Sequence, residues 1–326
     1  MLVRKAFNLG EVEGRFGIEV EVEGTNLPPR GFSKRWFTNY WRIEEDGSLK
    51  GPENWEYVTR KPYDLGDVGG ALEALERAYA EHDSKVDDSV RAGIHIHVNV
   101  QDMTIKQMLT FAVAYYCIEE VLMTFCGEGR SGNHFCFRAS DAENIILNLY
   151  KCLKQMKFGL MGHDVVRYSA LNFNSLFKYG SLEFRALRST SDMKKIFNWC
   201  EILEALRVNS MKYNSPAAIV ESMSIDGCEF LVHSLLGDQI KHFKGLDFTQ
   251  LVTQGVRNAQ IIAYSVNWFE FDEDKLLIWE NPRNEDGLQQ QAVPPRRRPL
   301  RHFVEDMAQA PQPEIPIEGF DLEEDF

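Results

Sequence analysis

A chain of 326 residues that is 44% hydrophobic and 12% aromatic has the material for one large packed domain or two ordinary ones, which excludes a disordered protein. Its formal net charge of −13 argues against a sequence-independent grip on nucleic-acid phosphates and leaves room for a local site that gathers cations. Six cysteines without a CxxC pair or zinc-ligand spacing, and no secretory signal, are expected to be reduced thiols in a cytoplasm.

In chain order, strands are predicted at 15–23, 39–44, 54–60 and 92–100, with the "EDGSL" turn at Glu45 to Leu49. A helix at 68–82 stands among them, and its Leu72, Leu75, Ala78 and Tyr79 line one face. The apolar run 102–125 has Thr104 as its N-cap. Glu119 and Glu120 inside it argue for a buried core helix over a membrane span. The next helix, 140–157, opens on Ser140 and Glu143, a capping-box pattern. Strands at 167–176 and 180–187, separated by "FKYGS", read as a hairpin. A long amphipathic helix at 190–211 begins at a capping Ser or Asp, shorter helices fill 216–243, and another runs over 248–264.

From Glu280 onward the composition turns to Pro, Gln and charge. Residues 1–280 are therefore expected to fold as one domain and 281–326 to be a disordered tail, with a solvated basic run at Arg296 to Arg301 and an acidic end that is a candidate partner contact. Strands mixed with helices, without regular βαβ alternation, indicate an α+β fold.

Four strands place polar, metal-competent side chains at alternate positions. In "FGIEVEVEG" Glu19, Glu21 and Glu23 face away from Phe16, Ile18, Val20 and Val22. In "GIHIHVNV" His95, His97 and Asn99 share a face, in "SLEFRALR" Glu183 and Arg185 do, and in "NWEYVTRKP" Glu56 and Arg60 do. Each column alone is ordinary for a wet sheet face with cross-strand ion pairs, and the case rests on the four together. Carboxylate oxygens with one or two imidazoles suit Mg²⁺ or Mn²⁺, and arginines beside them suit phosphate or a substrate carboxylate. Carboxylates, divalent metal and arginine on one sheet point to phosphoryl transfer. No GxxxxGK[ST] loop is present and no GxGxxG opens a helix after a strand, so a nucleotide would be held by the sheet and its metals.

The series "FGIEVEVEG", "EEDGSL", "WEYVTRKP", "AGIHIHVNV", "RYSALNF" and "GSLEFRALRST" resembles, in order, the motifs of the amidoligases, in the carboxylate–amine ligase superfamily best known for glutamine synthetase. The resemblance spans residues 15–205 and not the tail. It implies a glutamine synthetase-like antiparallel sheet whose concave face binds ATP and Mg²⁺ ions, with helices on the convex face, and makes 1–280 an amidoligase catalytic domain. It further implies that ATP phosphorylates a small-molecule or peptide carboxylate and that an amine displaces phosphate to form an amide. By the same resemblance Glu19, Glu21, Glu56, His95 and Glu183 match metal ligands, and His97 a residue near the nucleotide phosphates. Arg185 matches an arginine on phosphate, Arg167 and Asn172 match positions at phosphate or substrate, and Asp46 and Ser48 match a DxS element associated here with the amine. Two departures stand out. Lys61 precedes Pro62 where many relatives have Ser-Pro, and Glu23 extends the acidic column with no role, which reads as a solvent-facing strand end.

Two other classes stay open at this level: a metal-dependent hydrolase, and a non-catalytic binding or assembly protein on a degenerate ligase fold. The Gly-rich, basic segment "GEGRSGNHFCFR", Gly127 to Arg138, reads as a plain loop, with closure over substrate the alternative. His163 reads as a loop residue, and Cys136 has no neighbouring base that would make it a nucleophile.

Overall fold

In the computed structural model, residues 1–127, 133–134, 136–159 and 168–276 are described. The expected tail 281–326, the basic run within it, Arg167, His163 and the middle of the 127–138 loop lie outside the described residues.

The strands are β1 (Phe16–Thr25), β2 (Trp41–Glu44), β3 (Glu53–Thr59), β4 (Lys85–Val86), β5 (Gly93–Asn99), β6 (Leu171–Asn172) and β7 (Ser181–Arg188). They form one antiparallel seven-stranded sheet in the order β2-β3-β1-β5-β7-β6, with β4 paired to one end of β1. Phe16, Ile18, Val20 and Val22 of β1 fall on one face, with Ile94, Ile96 and Val98 of β5 and Leu182 and Phe184 of β7, and all are buried. Burying such a side chain stabilises by roughly 1.5–3 kcal/mol. A register slip of one residue would move all of them to the polar face, so the alternation itself pins the pairing.

Ten α-helices are described: α1 (Val3–Ala6), α2 (Arg35–Thr38), α3 (Leu65–His82), α4 (Ile105–Cys126), α5 (Glu143–Gln155), α6 (Leu176–Tyr179), α7 (Met193–Ser210), α8 (Pro216–Asp226), α9 (Cys228–Leu236) and α10 (Phe248–Ala263). α4 and α7 pack on the apolar side of the sheet, where Phe111 and Tyr115 of α4 meet Phe184. By length and composition α4 passes for a membrane span, yet it is the buried core helix, enclosed by α7, α8, α10 and β7. A Cβ on Gly255 of α10 would stand 2.4 Å from Tyr116 O and 2.7 Å from Cys117 O, so only glycine lets α10 cross α4 this closely. Thr104 caps α4 in a capping box with Gln107, as the sequence predicts.

Two local expectations are corrected. Ser140 does not cap α5, which starts at Glu143 with Ala142 at the N-cap position and no side-chain cap. The hydroxyl of Ser140 donates instead to Glu120 of α4 at 2.9 Å, where Glu120 also takes Arg138 at 2.6 Å. The Glu119–Glu120 pair thus anchors residues 138–141. The "FKYGS" connection is not a tight hairpin turn. Its first residues are helical in α6, and β6 is reduced to two residues because the chain leaves the sheet at Phe173.

Candidate active site

The polar face of the sheet is built from side chains that the register places side by side. Glu19 lies opposite His95, Glu21 opposite Glu56, His97 opposite Glu183, and Glu183 opposite Asn172. A bulge in β7 opposite His95 adds a residue between Phe184 and Leu187 and leaves Arg185 beside the imidazole, with Nη1 at 3.4 Å from His95 Nδ1.

Two clusters of carboxylates share His95. Its Nδ1 is 3.3 Å from Glu19 Oε2 and 3.7 Å from Glu183 Oε1, and its Nε2 is 3.6 Å from Glu21 Oε2. Glu19, His95 and Glu183 bring three donor atoms within 4.8 Å of one another, and so do Glu21, Glu56 and His95. An oxygen-rich set with one imidazole, short of thiolates, fits a hard divalent cation of the Mg²⁺ or Mn²⁺ type.

The protein's own charges balance these groups unevenly. Burial alone would raise Glu19, but His97 at 3.3 Å and His95 hold it well below the usual carboxylate range. Burial would also raise Glu183, yet Arg185, which pairs with it, and the two histidines bring it below that range. His97 is raised despite burial because Glu19 and Glu183 face it. Glu56 is pushed up to about 9, first by burial and then by the charges of Glu19, Glu21, Asp46 and Glu44. Burial likewise raises Glu21, with His95 and Arg185 offsetting only part of the effect. Two carboxylates at 4 Å repel by about 4 kcal/mol at an effective dielectric of 20, so Glu56 holds its proton until another cation balances the group.

Other side chains support these. Asn172 donates to Glu183 Oε2 at 2.7 Å and accepts from Asn174 N at 2.9 Å, so its amide holds a carboxylate in place. Asp46 accepts from Ser48 N at 2.6 Å, which tightens the loop between β2 and β3, and its charge reaches Glu21 and Glu56. Ser48 contributes its carbonyl, which accepts from Arg91 at 3.4 Å. Glu23 is not solvent-facing: it is buried, accepts from Lys50 N, and takes further bonds from Gly51 N and Ser89 that lower it. The loops carrying Lys50 and Ser89 fold over the end of β1, and a Cβ on Gly51 would stand 2.7 Å from that of Glu23.

Beyond Glu19 and His97 lies a cavity of about 390 Å³ that the linear reading missed. Gly17, Val58, Thr59 and Tyr179 give it a largely apolar lining, and Arg42, Arg60, Lys61 and Lys178 bring positive charge to it. Gly17 occupies the position in the acidic column two residues before Glu19, and its missing side chain leaves space beside His97. Ser181, two residues before Glu183 in the same column, meets His97 Nδ1 at 3.2 Å. Continuing the period of two by one step would have found both. Tyr179, edge-on to His97, comes from α6 and had no such signal.

The family described as "Putative amidoligase enzyme" matches residues 41–207, just over half of the chain. The protein belongs to this family. The resemblance of the motifs is thereby upheld, and amide-bond ligation is the activity the family supports. The match begins at β2 and ends within α7, taking in Glu56, His95, His97, Asn172, Glu183 and Arg185. β1, with Glu19 and Glu21, lies before it, yet hydrogen-bonds between β3 and β5 and joins the same constellation. No curated protein matches the chain.

Proposed function

We propose that this amidoligase is an ATP- and Mg²⁺-dependent carboxylate–amine ligase that works through an acyl phosphate. The single observation that carries the reading is the pair of donor groups sharing His95, one balanced by arginine and histidines, the other short of positive charge. Glu19, His95 and Glu183 would hold one Mg²⁺ ion, and Glu21 and Glu56, with His95 beside them, another. Such ions supply charge neutralisation at the transferred phosphoryl group.

The chain's own residues account for the rest. The cavity lined by Gly17, Val58, Thr59 and Tyr179 suits an aromatic base, and Arg42, Arg60, Lys61 and Lys178 suit a polyphosphate. A nucleotide entering there reaches His97 first, and His97, carrying positive charge against Glu19, donates to a phosphate oxygen. Arg185, fixed by Glu183, stabilises charge spread over the group in transfer. The acceptor acid and amine then approach from the opposite end, past Asp46 and Arg91. There Glu21 and Asp46 attract an ammonium, and a carboxylate freed of its proton accepts one from the amine. Asn172 acts through Glu183. Free cysteines and the proposed use of Mg–nucleotide support a cytoplasmic setting for the reaction.

The full chain with Mg²⁺, ATP, hydroxylamine and a panel of carboxylic acids tests this. Hydroxamate should form together with ADP for at least one acid, because hydroxylamine intercepts acyl phosphates. If calorimetry finds no Mg²⁺-dependent binding of a non-hydrolysable ATP analogue, the proposal fails. Turnover of phosphoesters or amides without nucleotide would move the site to a hydrolase.

A further inference from the structure

Apart from Gln101 itself and Arg60 to Pro62, which follow β3 directly, two parts of the cavity wall lie outside the strands: residues 9–12, and Lys178 and Tyr179 at the end of α6. Two amide side chains at the end of β5 tie them together. Asn99 Nδ2 donates to Val12 O and to Gly14 O, both at 3.0 Å, while its Oδ1 accepts from Gln101 N at 3.0 Å. Gln101 Oε1 accepts from Val12 N at 3.2 Å, and its Nε2 donates to Tyr179 O at 3.0 Å. Both side chains are buried, and every polar atom of both is engaged.

Gly180 makes the arrangement sterically feasible. Its φ is +65°, and a Cβ there would lie 2.5 Å from Gln101 Cγ and 2.8 Å from Leu9 Cδ1. Two further ties reach the segment: Leu9 N donates to Arg4 O at 2.9 Å, at its start, and Arg4 pairs with Glu11, whose carboxylate is 75% exposed, so the pair contributes little.

We infer that Asn99 and Gln101 are positioning residues that clamp both outer walls of the cavity to the strand carrying His97, so that base and phosphates meet one fixed geometry. The inference rests on the proposed nucleotide occupancy of this cavity. An amide is the group the task requires, because each residue accepts from a backbone N–H and donates to a backbone carbonyl at once. A carboxylate keeps only the first half of that task. Alanine leaves the Val12 N–H and the Tyr179 carbonyl without their partners.

The test uses the full chain and three variants: Gln101→Ala, Gln101→Glu, and Asn209→Ala. The last breaks a bond between α7 and α9 and serves as a stability control. Hydrogen exchange of the Val12 amide is read without ligand, and the Kd of a non-hydrolysable ATP analogue with Mg²⁺ is read by calorimetry. Gln101→Ala should speed Val12 exchange and weaken the analogue by about tenfold each. Gln101→Glu should keep Val12 protected, yet still weaken binding through the lost tie to Tyr179. Asn209→Ala should change neither readout. Unchanged Val12 exchange in Gln101→Ala would overturn the clamp whether or not nucleotide binds. An unchanged Kd in both Gln101 variants, with the wild type binding normally, would overturn the positioning role and leave the proposed function standing. A wild type that binds no nucleotide would overturn both, with Val12 exchange still reporting whether the walls are tied. Should Gln101→Ala fail to fold, Gln101→Met, which keeps the side chain's length and removes the acceptor for Val12 N, carries the same comparison.

Discussion

Glu19 and Glu21 stand two residues apart on one strand, both largely buried, and their surroundings drive them in opposite directions. Glu19 and its neighbour Glu183 are held below the usual range by His97, His95 and Arg185. Glu21 and Glu56 are raised, because burial and neighbouring carboxylates outweigh the His95 and Arg185 charges that reach Glu21. The chain's own cations thus balance half of the site and leave the other half short of positive charge. In the proposed mechanism this orders events: the balanced half receives nucleotide, and the unbalanced half couples metal binding to proton release.

The largest test of this comparison removes one member from each half. Glu21→Ala and Arg185→Ala should each lower turnover about 10²-fold or more with circular dichroism unchanged, since each acts where charge develops. Near-normal activity of either, on an acid identified by hydroxamate formation, would dissolve the division of roles. Next in size is the response of the intact protein to ligand. Mg²⁺ with a non-hydrolysable ATP analogue at about 100 times Kd should stabilise by about 2.7 kcal/mol and raise Tm by roughly 5–10 °C. A Tm that does not move would remove the case for an unbalanced half.

A smaller effect isolates Glu56. Its folded value of about 9 lies above the unfolded 4.5, so the folded state binds the extra proton between those limits. Stability therefore falls as pH rises from 4.5 to 9. Glu56→Gln should flatten that slope and raise the ligand-free Tm at pH 8 by roughly 2–4 °C, read by thermal melts across pH. In the wild type at pH 7.5, calorimetry in buffers of different ionisation enthalpy should show protons released as Mg²⁺ binds. The variant should release fewer.

The smallest effect lies on the helical side and serves as a contrast. Glu119 in α4 is raised to about 8, first by burial, while its other oxygen accepts from Ala139 N at 2.9 Å. The same sign applies, with stability lost as pH rises from 4.5 to about 8. Glu119→Gln should reduce that loss by about 2 °C in Tm at pH 8.5 while leaving Mg²⁺-linked proton release intact.

Much of this was legible in the chain. The period of two in "FGIEVEVEG" and "GIHIHVNV" identified strands, core face and polar face together, because a pleated strand offers no other way to satisfy both halves of the pattern. Thr104 was legible as a cap because its side chain has a local partner in Gln107 N. Ser140 was misread because a buried acid 20 residues earlier competes for it, and local rules do not see that partner. Glu23 was misread for the same reason, its partners arriving from Lys50, Gly51 and Ser89. The cavity was invisible because its walls come from the segment before β1, the end of β3 and α6, joined by the amides of Asn99 in β5 and Gln101 just after it.

By itself the sequence determined which side chains share a face, and hence that acids, histidines and an arginine would meet on one sheet. Side-chain alternation is a local property of extended backbone and needs no knowledge of the neighbours. Which acid lies opposite which, that Glu19 finds His95 and Glu21 finds Glu56, was decided by strand order and register, which are set by burial of the whole apolar face. The division of the column into a balanced and an unbalanced half is therefore tertiary, since the cations that balance Glu19 come from β5 and β7 and none of equal strength reaches Glu56.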